Sequence, residues 1–489
     1  MVAAAMAAAA AADQQASAFR VSLFSLAFTF FVFLVTDPLR LRPIANLPFQ
    51  AAPIPLSPRR LPIPADQENR LANAHLRYAG EAFGPESLAW DLDGRGPYTG
   101  VSDGRILRRS ADDSGWETFA HASPYWSSEV CDPVARVQPS SFSSAVAFLS
   151  GAVEISADAA NIYTRPVLNG SLDHTNYSIG PISGLLQEPD SRLAGSSSFS
   201  PVPAIDSPAK GRVGPKLATE HICGRPLGLR FHPVTGELFF ADAYFGIFKV
   251  GKKGGKARVV VDRVEGRKLR FSNDVAIDAD NENGTLYFTD SSTRHQRRDF
   301  VVATTEGRPD GRLVKVDLAT RRVTVLLRNL VFPNGLALSE DKSFLVFCES
   351  VLFRCSRYWL KGPKEGSQEV LVDLPGSPDN VRLNPRGRFW VAMHSRRRPL
   401  IDYFAPRPWL RTLVMSLPVD IKIIYGCTIG WPHGLVVEVD ADGRITDVLE
   451  DHMGRAVKAV SEVEERNGTL WIGSVVMPHV AVMKYTPRA

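Results

Sequence analysis

The chain has 489 residues, of which 44% are hydrophobic and 22% charged, and its formal net charge at pH 7 is +5. This composition excludes a largely disordered chain, a disulfide-dense miniprotein and, with a single long uncharged apolar run, a protein that crosses a membrane many times. Its basic clusters are short and lack interleaved aromatic residues, so we expect no nucleic-acid partner. At about 150 residues per domain, length alone suggests about three domains.

The N-terminal segment is dominated by an apolar run. Residues 21–36 are 16 uncharged residues rich in Phe, Leu and Val. This length lies between the apolar core of a signal peptide and a membrane-spanning helix, and no clear cleavage site follows. We interpret residues 1–36 as a signal peptide or an uncleaved signal anchor, and residues 37–65 as a Pro-rich linker. We expect membrane contact only through this segment, and only if it is uncleaved.

Glycosylation sequons favour the lumen of the secretory pathway. The four N-x-S/T sites are Asn169, Asn176, Asn283 and Asn467. The last two begin Asn-Gly pairs, which also form hairpin turns and therefore carry less weight. Arginines after the apolar run would by themselves place that side in the cytosol. We expect the protein in the endoplasmic reticulum, the vacuole or the extracellular space.

From residue 84 onward the same pattern recurs: a strand entered through a polar loop, a turn of Gly, Asn or Asp, and an aromatic-rich strand. Its copies occupy residues 84–109, 225–250, 271–292, 332–350, 377–395 and 460–478, and shorter strand pairs lie between them. Each unit supplies about four short antiparallel strands, which is typical of a propeller blade. The sequence therefore predicts an all-β fold, a six-bladed β-propeller over residues 66–489. Only residues 66–78 suggest helical periodicity.

Residues 132–215 interrupt the repeats. They contain 15 Ser and 9 Pro in 84 positions and show little alternation of polar and apolar residues. Structureless stretches of this length are uncommon inside compact domains. We interpret the segment as a disordered insertion, and the alternatives are an artefact of gene prediction and a folded extra module.

Several motifs resemble those of a known family. They include GPESLAWD at 84–91, CGRPLGLRF at 223–231, FPNGLALS at 332–339 and LPGSPDNVR at 374–382. On these motifs the chain resembles the strictosidine-synthase-like family, in the branch that contains adipocyte plasma membrane-associated protein. The resemblance covers about 80–131 and 216–486 and implies a six-bladed propeller. Because plant members include branches needed for pollen-wall formation, it also implies a role in exine or secondary metabolism.

The same resemblance interprets two of the five cysteines. It implies a disulfide between Cys131 and Cys223, which would close the insertion into a loop and leave the propeller geometry intact. Cys348, Cys355 and Cys427 remain. We interpret these as buried apolar thiols rather than nucleophiles.

Oxygen-bearing side chains recur at one position of the repeats. The innermost strand of each propeller blade starts at the central channel, so equivalent positions converge on the axis; here they are Glu86, Asn273, Asn334, Asp379 and Asn380. Carboxylate and amide oxygens suit Ca²⁺, which takes about 6–8 of them. The chain also resembles the wider superfamily of paraoxonases and senescence-marker-type lactonases, which bind calcium at matching positions. The alternative is that these turn-forming pairs simply bind water.

The candidate proton acceptors are two histidines. The resemblance places the catalytic histidine of the lactonases at Leu227, and leucine cannot accept a proton. His394 and His433, each at one end of a predicted strand, are the candidate substitutes. Further channel residues with a weaker basis are Asp242, Tyr244 and Asp274.

Three functions remain open. The favoured one is Ca²⁺-dependent hydrolysis of a small apolar ester or lactone in the secretory pathway. The second is a non-catalytic propeller that binds a ligand or partner. The third is the amine–aldehyde condensation of strictosidine synthase, whose catalytic glutamate would align with about Lys458. A cation there could not accept the amine proton, so condensation is disfavoured.

Overall fold

The computed structural model describes residues 49–58, 65–131, 214–280, 283–429 and 432–487, together with a few positions before residue 49. Most of the predicted signal segment, much of the linker, nearly all of the insertion, and the sequons at Asn169 and Asn176 lie outside these residues. Within the described ranges, no helix is long and apolar enough to cross a membrane.

Antiparallel strands form almost all of the fold. Their bounds are β1 (His75–Arg77), β2 (Leu88–Ala89), β3 (Tyr98–Gly100), β4 (Arg105–Arg109), β5 (Trp116–His121), β6 (Pro226–Phe231), β7 (Leu238–Asp242), β8 (Gly246–Val250), β9 (Gly255–Lys256), β10 (Arg258–Val261), β11 (Arg263–Val264), β12 (Arg267–Lys268), β13 (Ser272–Asp278), β14 (Thr285–Asp290), β15 (Gly311–Asp317), β16 (Val323–Leu330), β17 (Pro333–Leu338), β18 (Phe344–Glu349), β19 (Arg354–Trp359), β20 (Gln368–Asp373), β21 (Gly376–Leu383), β22 (Phe389–Arg396), β23 (Gly434–Val439), β24 (Ile445–Asp451), β25 (Val460–Arg466), β26 (Thr469–Ser474) and β27 (Val480–Lys484).

Six sheets radiate from a closed ring of inner strands. From the axis outwards they are β2-β3-β4-β5, β6-β7-β8-β10, β13-β14-β15-β16, β17-β18-β19-β20, β21-β22-β23-β24 and β25-β26-β27-β1. The inner strands contact one another in the order β2, β6, β13, β17, β21, β25 and back to β2. The prediction of a six-bladed propeller is confirmed, and each of the six sequence repeats supplies the inner strands of one blade.

The N-terminal strand closes the ring. β1 pairs antiparallel with β27, so His75 lies opposite Val482, and the last blade is built from both ends of the chain. Before β1 the chain forms only a 3₁₀ turn at Arg70–Asn73. The helical interpretation of residues 66–78 is therefore wrong, because this short segment is shaped by pairing with the last sheet rather than by its own periodicity.

Short helices lie in the connections between strands. They are α1 (Ser128–Cys131), α2 (Gly214–Cys223), α3 (Phe300–Glu306), α4 (Pro399–Phe404), α5 (Pro408–Ser416) and α6 (Ile421–Ile429). The last three form one insertion between β22 and β23, residues 399–429, which we call the cap. Sequence periodicity missed the cap because none of its helices exceeds nine residues. Proline at the first turn of α4 and α5 was the available signal.

The hydrophobic core lies between the faces of neighbouring blades. Buried aromatic residues such as Phe240, Phe288 and Phe347 fill these interfaces at no measurable exposure. Near-complete burial of such side chains contributes about 1.5–3 kcal/mol each to stability.

Two disulfides join described cysteines. Cys131–Cys223 has a Cα–Cα distance of 5.6 Å and confirms the pairing implied by the family resemblance. Cys348–Cys355 joins residues directly opposite each other on β18 and β19. The interpretation of this second pair as free thiols is therefore wrong, although both residues are buried as expected. The side chain of Cys427 lies outside the described residues.

Candidate functional site

The inner strands share a local irregularity at the same place. The pairing register shifts between Ser272 and Val275 in β13, and at the equivalent points of β17 and β21. A bulge re-aims the side chains it contains. Asn273, Asn334, Asp379 and Asn380 lie inside these irregularities, and all but Asn380 line a central cavity together with Glu86.

Glycines allow the inner strands to approach closely at this level. A Cβ on Gly335 would lie 2.4 Å from the Cα of Asn380. A Cβ on Gly228 would lie 2.0 Å from Oδ1 of Asp274. Such distances are far below contact between real atoms, so only glycine permits this spacing of the inner strands.

Hydrogen bonds fix the orientation of two axial asparagines. Nδ2 of Asn273 donates to Oγ of Ser291 over 2.9 Å, and Nδ2 of Asn334 donates to Oγ of Ser350 over 3.1 Å. Each serine hydroxyl donates in turn to a backbone carbonyl of the next blade at 2.6 Å. The amide nitrogens are thereby used within the protein, and the amide oxygens are left over.

The third asparagine, Asn380, also uses its amide nitrogen within the protein, but its partners are carboxylates rather than a serine. Nδ2 of Asn380 donates to Oε1 of Glu86 over 2.9 Å and to Oε2 of Glu462 over 3.1 Å. At this site, four buried acceptor atoms then have no hydrogen-bond partner among the described residues: Oε2 of Glu86 and Oδ1 of Asn273, Asn334 and Asn380. Each unsatisfied buried acceptor costs about 1–3 kcal/mol. All four atoms accept and none donates, so the ligands that satisfy them are a cation or a hydrogen-bond donor such as water.

Two carboxyl groups of the site are harder to ionise than usual. Burial, together with repulsion by Asp379 and Glu462, raises the pKa of Glu86 well above its ordinary value. Burial, opposed by a hydrogen bond from Asn334, raises the pKa of Asp379 to about 7. We call the five residues Glu86, Asn273, Asn334, Asp379 and Asn380 the acceptor ring. The ring brings all five predicted calcium ligands together, and their donor atoms fit Ca²⁺.

The ring is made mainly of amides, so it differs from common metal centres. No group of three or more His, Cys, Asp or Glu side chains suited to a metal occurs within the described ranges. Three of the five ring residues are asparagine, which such a group would not contain. Amide oxygen is a normal ligand of Ca²⁺, whereas zinc and copper prefer nitrogen and sulfur.

A second charged cluster lies on the same axis. The guanidinium of Arg382 binds Asp274 Oδ2 over 2.6 Å and Glu462 Oε1 over 2.6 Å, and it also reaches Oγ of Ser87 at 3.3 Å. All of these side chains are at most 2% exposed. We call Arg382, Asp274 and Glu462 the arginine cluster. Sequence reasoning missed Arg382, whose only signal was a positive charge within a predicted inner strand.

The cavity above the acceptor ring has a volume of about 640 Å³. Six phenylalanines contribute to its walls: Phe83, Phe271, Phe300, Phe332, Phe353 and Phe404. Leu227, at the position where lactonases carry a histidine, also lines it. On one side Arg297 pairs with Glu220 at 2.6 Å, and the hydroxyl of Tyr244 donates to Glu220 over 2.8 Å. The cavity therefore joins a polar floor to an apolar wall.

The two candidate histidines lie in different places. His394 lines the cavity, with Nε2 2.7 Å from the hydroxyl of Tyr425 and Nδ1 3.8 Å from Asp379 Oδ2. Burial and the charge of Arg297 lower the pKa of His394 to about 4, so its imidazole is neutral at pH 7. His433 is not among the cavity residues, and its Nε2 lies 3.3 Å from Glu450. Only His394 is placed to act at the acceptor ring.

The remaining predicted residues lie outside the acceptor ring. Asp242 accepts backbone N–H bonds from Arg225 and Tyr244, and it stabilises a turn. Lys458, where the glutamate of strictosidine synthase would align, is absent from the cavity lining. Asn283 and Asn467 are exposed at turns, as glycosylation requires.

Comparison with known proteins gives consistent matches. The family "Strictosidine synthase" matches residues 273–363, and "Strictosidine synthase-like, N-terminal" matches residues 66–109. Strictosidine synthase-like 3 of Arabidopsis thaliana is 39% identical over 456 residues, 93% of this chain and 96% of that protein. Adipocyte plasma membrane-associated protein of Gallus gallus is 37% identical over 269 residues, 53% of this chain and 63% of that protein. A gluconolactonase of Xanthomonas campestris aligns with a TM-score of 0.45 at 12% identity, over 88% of this chain and 98% of that chain.

Proposed function

The chain belongs to the strictosidine-synthase-like family, and from that premise we propose that it is a Ca²⁺-dependent hydrolase of a small apolar ester or lactone. One observation carries the proposal: four buried acceptor oxygens lack partners in the described part of the chain, and three of the residues that bear them line an apolar cavity. Buried polar atoms are normally satisfied, and exceptions point to a missing ligand. Here the missing ligand is a cation in a position to meet a bound substrate.

Each residue of the acceptor ring has a defined role in this proposal. Glu86 and Asp379 would supply the negative charge, and the three asparagines would supply neutral oxygens that Ca²⁺ accepts. When bound there, Ca²⁺ supplies Lewis acidity that polarises an ester carbonyl. The hydrogen bonds from the asparagines to serine and to Glu86 keep the ligand oxygens aimed at the axis without further rearrangement.

His394 is the proton acceptor in the proposal. With Nε2–H donating to the hydroxyl of Tyr425, Nδ1 would accept a proton from a water molecule in the cavity, and Asp379, 3.8 Å from Nδ1, would stabilise the resulting positive charge. The hydroxyl of Tyr425 orients the imidazole of His394 through its hydrogen bond with Nε2. General base catalysis of this kind typically contributes about 10²–10⁴-fold to rate.

The cavity walls set the class of substrate. The volume of the cavity suits a small ligand, and the aromatic lining favours apolar groups. The two disulfides favour an oxidising compartment, and the membrane-associated relative favours a membrane of the secretory pathway. A role in pollen-wall or secondary metabolism stays a prediction.

A paired substitution tests the function. Asn273→Ala removes one ring oxygen, whereas Asn384→Ala removes an equally buried asparagine that bonds Glu438 away from the cavity. We expect Asn273→Ala to lose Ca²⁺ binding by calorimetry and turnover of an ester panel, and Asn384→Ala to keep both. Equal Ca²⁺ binding and equal turnover in the two variants would refute the proposal.

A second function is favoured by Leu227. Because leucine replaces the histidine expected at this point of the cavity wall, the propeller could bind an apolar ligand without converting it. The discriminating observation is turnover: reproducible, chelator-sensitive hydrolysis removes this alternative. Condensation of an amine with an aldehyde is less favoured, since Lys458 is not in the cavity lining and Glu462 is held by Arg382.

A further inference from the structure

The outer surface of the cap is unusually apolar. Five large apolar side chains there are more than half exposed, at 53% for Leu400, 53% for Tyr403, 65% for Trp409, 51% for Leu413 and 59% for Ile423. Elsewhere in residues 65–131, 214–280 and 432–487, exposed large apolar side chains are scattered singly along the chain. Isolated exposures are ordinary, but a group of five within 31 residues needs a reason.

The cap helices are apolar on both sides. In α5, Trp409 and Leu413 are one helical turn apart and exposed, while Met415 is fully buried. In α6, Ile423 is exposed and its neighbour Ile424 is buried against the core. Packing on the propeller explains the inner faces, but among the described residues Trp409, Leu413 and Ile423 belong to none of the apolar core clusters.

The chain before the propeller is fastened to this same cap. The backbone N–H of Ile54 donates to the carbonyl of Ala405 over 3.1 Å, and the guanidinium of Arg411 donates to the carbonyl of Ala52. Arg397 donates to the carbonyl of Ser57 over 2.7 Å. Ile54 is 5% exposed and contributes to the cavity wall. Residues 52–57, which precede the propeller, therefore contact it at the cap.

The apolar run at residues 21–36 ends only 13 residues before residue 49. Thirteen residues span at most about 45 Å when fully extended. If the run enters a bilayer, the cap is the part of the propeller held nearest to that bilayer. Tryptophan and tyrosine, both present on the cap surface, are the side chains that favour the lipid–water interface.

We propose that Leu400, Tyr403, Trp409, Leu413 and Ile423 form a membrane-contact surface that rests in the interfacial layer of the bilayer entered by residues 21–36. Contact with the membrane then extends beyond the N-terminal segment. Leu400 and Ile423 belong both to this surface and to the cavity lining, so the cavity opens towards the lipid. A substrate dissolved in the bilayer can reach the acceptor ring without crossing water.

Tryptophan quenching tests the contact in the full chain. The protein is reconstituted into phosphatidylcholine vesicles with and without bromine on the acyl chains, because bromine quenches only nearby tryptophan. We expect quenching in the wild type and its clear reduction in Trp409→Phe. The matched control is Trp359→Phe: Trp359 lies at the end of β19 remote from the cavity, so the quenching should persist.

Other outcomes overturn the proposal. Absence of quenching in the wild type, or undiminished quenching in Trp409→Phe, shows that the surface does not meet lipid. Cross-links between cap residues of two copies, obtained without quenching, show that a second copy of the chain covers it. Since these readouts use neither Ca²⁺ nor turnover, failure of this proposal and failure of the proposed hydrolase are distinguishable.

Discussion

The acceptor ring and the arginine cluster lie on the same axis, are almost equally buried, and differ in how their polar atoms are satisfied. In the arginine cluster, the guanidinium of Arg382 meets both Asp274 and Glu462 at 2.6 Å. In the acceptor ring, four oxygens have no partner in the described part of the chain. A cluster that is complete within the protein stabilises the fold, whereas the unpaired oxygens of the acceptor ring are the basis of the proposed Ca²⁺ site. The following predictions test this distinction.

The largest expected effect comes from breaking the complete cluster. Arg382→Met leaves Asp274 and Glu462 as buried, unpaired carboxylates, so we expect a loss of about 3–5 kcal/mol in the free energy of unfolding. Urea unfolding measures it, with and without Ca²⁺, and the loss should appear in both conditions.

Arg388→Met is the matched control for this substitution. Arg388 also pairs with a buried glutamate, Glu438, but its own side chain is 39% exposed. Surface pairs of this kind contribute about 0–1 kcal/mol. If the two variants lose equal stability, the arginine cluster does not hold the inner strands together.

Removing an oxygen of the acceptor ring should lower stability mainly when Ca²⁺ is present, unlike the loss expected for Arg382→Met. A ligand at about 100 times its dissociation constant stabilises a folded protein by about 2.7 kcal/mol. We expect Ca²⁺ to give the wild type a stabilisation of this size and to give Asn334→Ala much less. With a chelator the two should differ by only about 1 kcal/mol, since the variant loses one hydrogen bond to Ser350 but also an unsatisfied oxygen.

Thermal melts in calcium and in chelator measure both effects. Ca²⁺ that raises the melting temperature of wild type and Asn334→Ala by the same amount would place the cation elsewhere. If Asn334→Ala is much less stable than the wild type even in chelator, the acceptor ring, like the arginine cluster, is structural.

The same contrast explains what the sequence could predict. The ring residues occupy equivalent positions of separate repeats, so Asn273, Asn334 and Asn380 could be aligned on the axis before the fold was known. Arg382 could not, because its partners are 108 and 80 residues away and their pairing depends on how three blades meet. Repetition made the blades and the ring predictable. The cap lies outside the repeated pattern, and the Cys348–Cys355 bridge joins one repeat to the strand that follows it, so the sequence carried no comparable signal for either.

Substitution of a glycine in an inner strand tests whether the acceptor ring depends on the spacing of these strands. Gly335→Ala places a methyl group 2.4 Å from the Cα of Asn380 and 2.5 Å from the backbone N of Val381. We expect a loss of about 1–3 kcal/mol from overpacking, and weaker Ca²⁺ binding because Asn380 must move. Gly251→Ala, which meets no atom within 4 Å, is the control. If Gly335→Ala loses stability but binds Ca²⁺ with unchanged affinity, the spacing of the inner strands does not set the geometry of the acceptor ring.

The smallest effect is expected at a third polar cluster, around Glu450. Its carboxylate meets His433 Nε2 at 3.3 Å, His452 Nε2 at 3.0 Å and the backbone N–H of Asp66 at 3.1 Å, and it also contacts Arg396. Burial alone would raise the pKa of Glu450, but the hydrogen bond from His433 and the charge of Arg396 outweigh it and hold the pKa below its ordinary value. Glu450 therefore resembles the arginine cluster: its charge is satisfied within the protein.

The sign of its pH dependence follows from that shift. A carboxylate with a lowered pKa stabilises the fold above its unfolded pKa, about 4.3, and this contribution is lost as the pH falls through the folded value. We expect Glu450→Gln to cost about 1 kcal/mol at pH 7, by urea unfolding, and progressively less in acid. The exposed Glu117 gives a control, Glu117→Gln, with little effect at any pH. A Glu450→Gln deficit that stays constant down to about pH 3 would show that the hydrogen bonds at this side chain, and not its charge, are the source of the stability.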